Sequence, residues 1–166
     1  MAAVLRDVAD RSGWGKSLPA GEGMGVAIAG GQERDKPTWT ACVVHVAVDA
    51  ESKQVTVRKI WHSLDCGTVV HPDGALAQAE GATLWGLSLA LHEGTEFKDG
   101  QVKDTNLDTY TPLRMADVPE LDIKFMESTE FPTGLGEPPV IAVAPAIGNA
   151  IFAATGTRAR DLPIRL

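Results

Sequence analysis

Residues Thr38 to Asp49 alternate in a β-rich composition, with Ala41, Val43 and His45 on one side and Cys42, Val44, Val46 and Val48 on the other. Val55-Thr56-Val57-Arg58-Lys59-Ile60-Trp61 repeats the pattern, and Asp49-Ala50-Glu51-Ser52-Lys53 joins the two runs. Period-two alternation on both sides of a short polar joint predicts an antiparallel hairpin, and its mix of apolar and polar positions predicts one covered face. His45 and His62 read as satisfied or exposed strand residues rather than ligands.

The flanking chain supplies helices and further strands. Val4, Leu5 and Val8 share one side of a short helix over Ala2 to Arg11, stopped at Ser12-Gly13, so residues 1–20 form a helical lead-in. A helix at the very first residue points to truncation. Trp14 to Gly25 reads as a loop whose Gly23-Met24-Gly25 turn either lets backbone approach a ligand or merely turns the chain; Val26 to Ala29 is a small-residue strand ended by Gly30-Gly31. After Asp65-Cys66-Gly67-Thr68-Val69-Val70-His71-Pro72, a helix from about Asp73 to His92 carries its apolar period on Leu76, Ala79, Thr83, Leu87 and Leu91, which leaves Gln78 off that stripe, facing solvent or a cleft. Asp99-Gly100 marks a tight hairpin turn, Asn106 to Pro119 a long loop that could wall a site, and Leu121 to Met126 a strand. The final helix kinks or begins at Pro145, buries Ile147, Ala150, Ile151 and Ala154, and stops at Gly156. With 44% hydrophobic residues in 166, a real core is available. The expected fold is one α+β domain over residues 1–166: a mixed or antiparallel sheet in two layers, helices packed on one face.

Composition narrows function. A net charge of −7 without long like-charge runs argues against nucleic acid and anionic membranes. The apolar run from Val140 to Ala154 reads as too short to span a bilayer, and no signal peptide is evident, so compartment stays open, set by a partner. Cys42 and Cys66 have no CxxC spacing, and the four histidines form no ligand pair, so no protein-ligated metal is expected.

One stretch carries chemistry. In Gly134-Leu135-Gly136-Glu137-Pro138-Pro139 the glycines permit close approach, and the prolines suit a first helical turn, where no N–H is required. Glu137, without a basic neighbour in an apolar run, is expected to be partly desolvated, which suits a general base or acid. The alternative is a first-turn acid that complements the helix dipole.

Asp65-Cys66-Gly67-x-x-x-His71-Pro72, then Gln78-Ala79-Glu80-Gly81-Ala82, then Gly134 to Pro139 before an alanine-rich helix, resemble the C-terminal part of the molybdopterin-binding large subunit of the xanthine dehydrogenase and aldehyde oxidase family. The isoquinoline 1-oxidoreductase beta-subunit type is the nearest in look. The resemblance runs from about Gly21 through Pro163, with His71 where many relatives have asparagine. It implies an oxidoreductase in which a molybdenum–molybdopterin cofactor, in some members a dinucleotide form, hydroxylates aldehydes or N-heteroaromatic compounds with water as oxygen source. It implies Glu137 as the base, Gln78 and Gly136 at the cofactor, and electrons leaving through a small iron–sulfur subunit. The family's large subunit is several times longer. The chain thus reads as a fragment or small subunit that lacks the N-terminal part of that subunit, holds no cofactor and is inactive alone, with apolar surface prone to self-association. A catalytically silent structural or assembly module is the alternative.

Overall fold

A computed structural model describes residues 1–32 and 36–166. The elements are α1 (Ala2–Ser12), β1 (Glu22–Gln32), β2 (Pro37–Val48), β3 (Val55–Asp65), α2 (Pro72–Leu91), β4 (Phe97–Lys98), β5 (Gln101–Val102), a 3-10 turn at Met115–Asp117, β6 (Glu120–Phe125), α3 (Pro138–Ile141) and α4 (Val143–Thr155). The main sheet has the order β1-β2-β3-β6, antiparallel except for the parallel β3–β6 pair. Parallel neighbours need a long crossover, and α2 lies within the connection from β3 to β6. The sheet is therefore mixed and the class α+β, as expected. The β4–β5 hairpin turns at Asp99 and Gly100, both at positive φ, as an Asp-Gly turn requires.

The sheet is covered on both faces, which corrects the two-layer expectation. On one face Cys42, Val44, Val46 and Ile60 pack with Leu87, Ala146, Ile147, Ala150 and Ile151. On the other, Ala41, Val43, Met24 and Trp61 pack with Val4 and Val8 of α1. A short amphipathic helix must bury its stripe somewhere, and the central hairpin offered a second apolar row that one covered face would have left bare.

Arg11 secures α1. Its Nε donates to Asp7 at 2.9 Å, Nη1 to Asp122 Oδ1 at 2.6 Å, and Nη2 to the His62 carbonyl and Ser63 Oγ, each at 2.9 Å. Burial alone would raise the Asp7 carboxyl, but hydrogen bonds from Lys124, Ser63 and Arg11 hold it down at about 2.

β1 is longer than its sequence suggests, beginning at Glu22 inside the expected loop. Gly23 and Gly25 are strand residues, not a turn, and the approaching backbone belongs to α4. A Cβ at Gly25 would lie 2.1 Å from both the Ala146 carbonyl oxygen and the Ala150 nitrogen. Glycine and alanine here give no β-propensity signal, because their purpose is to let a helix lie close.

In α2 the buried stripe is Ala79, Ala82, Thr83, Gly86, Leu87 and Ala90, whereas Leu76 is exposed beyond the sheet's cover. His71 is the N-cap, its Nδ1 accepting from the Gly74 N–H at 2.8 Å, so the imidazole serves as an asparagine would. α3 and α4 meet at Ala142, and Pro145 falls in the first turn of α4, where a missing N–H costs nothing. Together Pro138–Thr155 reach 18 residues at mean hydropathy 1.5, long and apolar enough to cross a membrane by length and composition alone. Their inner face, with Ala146, Ile147, Ala150 and Ile151, is packed against the sheet as a core helix.

Acid should unfold this fold. Burial, aided by the Arg11 charge, pushes His62 from 6.5 down to about 3. Between these values the unfolded chain binds the extra proton, so stability drops as pH falls through this range. Asp7 has the same sign: its contribution is whole above 3.8 and is lost as pH drops through about 2. Urea midpoints should be level between pH 7 and 8 and decline steadily below 6; midpoints unchanged down to pH 4 would contradict a buried neutral His62.

Candidate active site

The motif segments, far apart in sequence, are tied together by backbone. Gly67 sits at positive φ, and a Cβ there would meet the Phe131 carbonyl oxygen at 2.3 Å. The Thr68 N–H donates to the Glu130 carbonyl at 2.9 Å and the Thr133 N–H to the Cys66 carbonyl at 2.8 Å. Gly134 is held from the sheet, its carbonyl accepting from Thr38 Oγ1 at 2.6 Å. The next turn is wedged inward: Pro138 and Pro139 are buried, Gly31 leaves room for Pro138, and Gly86 of α2 leaves room for the Val140 carbonyl.

This docking brings Gln78 and Gly136 together. A Cβ on Gly136 would stand 3.2 Å from Gln78 Nε2, so the absent side chain gives the amide its place. Both Gln78 and Glu137 are exposed. Glu137 is the N-cap of α3, without a side-chain cap bond. The expected partial desolvation of Glu137 is therefore corrected for this chain: its apolar sequence neighbours turn into the core while the carboxylate points out. Trp85, 55% exposed, lies two turns along α2 from Gln78, and Ile141 of α3 is also exposed.

The loop from Asn106 to Pro119 does not wall this site. Its Leu113 N–H donates to Ser88 Oγ at 2.9 Å, near the far end of α2, roughly 15 Å along the helix from Gln78 at 1.5 Å per residue. Among the described residues no three His, Cys, Asp or Glu side chains come together as a metal site. Sequence reading missed a buried polar row beneath the site, formed by Thr38, Thr40, His62 and Thr83. The signal was two threonines at i and i+2 on the strand face that otherwise carries Cys42 and Val44.

An exposed amide, a glycine that leaves it room and an exposed carboxylate thus lie on one surface of the chain. Residues 18–119 match the molybdopterin cofactor-binding domain family. Over 165 residues the chain is 34% identical to isoquinoline 1-oxidoreductase subunit beta of Brevundimonas diminuta, covering 99% of this chain and 21% of that protein. It is 56% identical over 165 residues to the membrane-bound aldehyde dehydrogenase (pyrroloquinoline-quinone) of Gluconacetobacter polyoxogenes, with the same coverage of 99% and 21%. The solved aldehyde oxidoreductase from Desulfovibrio gigas aligns at TM-score 0.64 and 28% identity, over 74% of this chain and 14% of that one. The chain belongs to the molybdopterin cofactor-binding domain family, whose relatives here include xanthine dehydrogenase molybdenum-binding subunits. It spans about a fifth of the length of the curated relatives named above.

Proposed function

We propose that this chain is the C-terminal part, or a small subunit, of a molybdenum hydroxylase acting on aldehydes or N-heteroaromatic compounds, with Glu137 as its base. The carrying observation is the approach of the Gln78 amide to Gly136, where a Cβ would stand 3.2 Å from Nε2, one residue from Glu137, in a chain of this family. When bound, molybdenum–molybdopterin would supply the two-electron oxidation. The chain's residues do the rest. Gln78 offers two donors and one acceptor to a pterin edge, and Gly136 keeps that approach clear. Glu137 accepts a proton at its carboxylate as water-derived oxygen is delivered to substrate.

The exposed wall explains why partners are needed. Cofactor pockets enclose most of their ligand between several elements, whereas Gln78 and Glu137 both face outward. The remainder of the large subunit closes the site and covers Trp85 and Ile141, and an iron–sulfur subunit carries electrons away. By itself the chain turns over no substrate.

Gln78→Ala tests the cofactor role. Each lost amide hydrogen bond is worth about 0.5–1.5 kcal/mol, so molybdenum occupancy of the assembled enzyme should fall several-fold. Melting should be unchanged, because Gln78 lies off the core stripe of α2. Unaltered occupancy would make Gln78 an ordinary surface residue and favour the silent structural module. A second cofactor reading comes from the name of the Gluconacetobacter relative, which specifies pyrroloquinoline quinone.

A further inference from the structure

We propose that Thr38, Thr40, His62 and Thr83 are positioning residues: a buried polar row on β2, β3 and α2 that sets the gap between Gln78 and Gly136. All four are fully buried. Buried polar groups in an apolar core are costly unless each is satisfied, and each of these is. The row stands where the inner face of β2 changes from Cys42 and Val44 to Thr40 and Thr38. At that end of the strand lie the two halves of the candidate site.

One threonine serves each half. Thr38 Oγ1 donates to the Gly134 carbonyl at 2.6 Å and lies 2.7 Å from Thr133 Oγ1, fixing the loop that leads to Gly136. Thr40 Oγ1 hydrogen-bonds His62 Nε2, and His62 Nδ1 lies 3.0 Å from Thr83 Oγ1. Thr83 Oγ1 donates in turn to the Ala79 carbonyl at 2.8 Å, beside Gln78 in the chain. Both sides of the Gln78–Gly136 contact thus hang from one strand, two residues apart.

The donors fix the direction of the relay. The single Thr83 hydroxyl proton goes to Ala79, so Thr83 can only accept from His62, which places the imidazole proton on Nδ1. Nε2 is then bare, and Thr40 donates to it. The opposite tautomer would leave the Thr40 proton without an acceptor in a buried site. With its charged form disfavoured by burial, His62 is a neutral strut rather than a proton carrier.

This proposal deepens the reading of Gln78 and Gly136 as a cofactor wall and rests on it for its purpose, yet its test needs no cofactor. In the 166-residue chain, heteronuclear NMR reads the His62 ring nitrogens and the cross-relaxation between the Gln78 amide protons and the Gly136 α-protons. Wild type should show the Nδ1–H tautomer and the cross-peak. Thr40→Val should shift the resonance of the now unpaired Nε2 and weaken the cross-peak at least two-fold, the proton staying on Nδ1 where Thr83 accepts it, and Thr40→Ser should restore both. Thr38→Val should weaken the cross-peak at least two-fold with the tautomer intact, and it carries the test alone if Thr40→Val does not fold. An Nε2–H tautomer in wild type, or a wild-type cross-peak in the folded valine variants, overturns the proposal. Failure of Gln78→Ala to change cofactor occupancy would instead defeat the functional reading and leave this geometry standing.

Discussion

Glu137→Gln, placed in an enzyme assembled with the rest of the subunit and its iron–sulfur partner, should slow single-turnover reduction of molybdenum by about 10²–10⁴-fold at unchanged metal content. Glutamine keeps the size and loses the basicity. The fold has little stake in this side chain: Glu137 is exposed, makes no side-chain cap bond and precedes a helix of four residues. Enclosure by the rest of the subunit would supply the desolvation that this chain alone does not give, raising basicity where a base is needed. If Glu137 only complemented the α3 dipole, the same change would cost about 0.3–1 kcal/mol of stability and leave the rate intact. Rate and melting temperature therefore move in opposite patterns under the two accounts, and measuring both at matched molybdenum content separates them.

Gly25→Ala should be the most damaging small substitution in the fold. The new Cβ would lie 2.1 Å from two backbone atoms of α4, contributed by Ala146 and Ala150. Relief to an ordinary separation of about 3.5 Å requires α4 to move by more than about 1 Å. No flexible side chain can yield in its place. That helix also carries Ile147 and Ile151 into the core, so displacement opens the packing on both sides. A loss of at least about 3 kcal/mol, or roughly 6–12 °C in melting temperature for a chain of this size, is expected. Gly81→Ala is the control, because its Cβ would meet nothing within 4 Å and alanine favours the helix. Equal melting temperatures for Gly25→Ala and wild type would refute the close approach of α4.

Alternation made β2, β3 and β6 legible, and the Asp99-Gly100 turn and the Gly156 stop were readable because each rests on a local backbone need. β1 was only partly readable. Gly23 and Gly25 answer to α4, more than a hundred residues on, and not to any strand preference. The second covered face was hidden for a related reason: periodicity says that α1 has an apolar stripe but not which side of a sheet receives it. Gln78 could be placed off the core stripe of its helix, yet its meeting with Gly136 depends on how α3 wedges against Gly86. The apolar surroundings of Glu137 in sequence suggested burial, whereas Pro138 and Pro139 turn inward and leave the carboxylate outside. Asn106 to Pro119 was a reasonable wall by composition; Ser88 anchors it at the other end of α2.

The central claim is that Gln78, Gly136 and Glu137 form one wall of a molybdenum–molybdopterin site. Its most direct test is cofactor analysis of this chain purified in complex with the subunit parts proposed to complete the site. Molybdenum by elemental analysis and pterin by fluorescence after oxidation should both approach one per chain, and both should fall together in Gln78→Ala. Pyrroloquinoline quinone at one per chain, with molybdenum and pterin absent, would contradict the account.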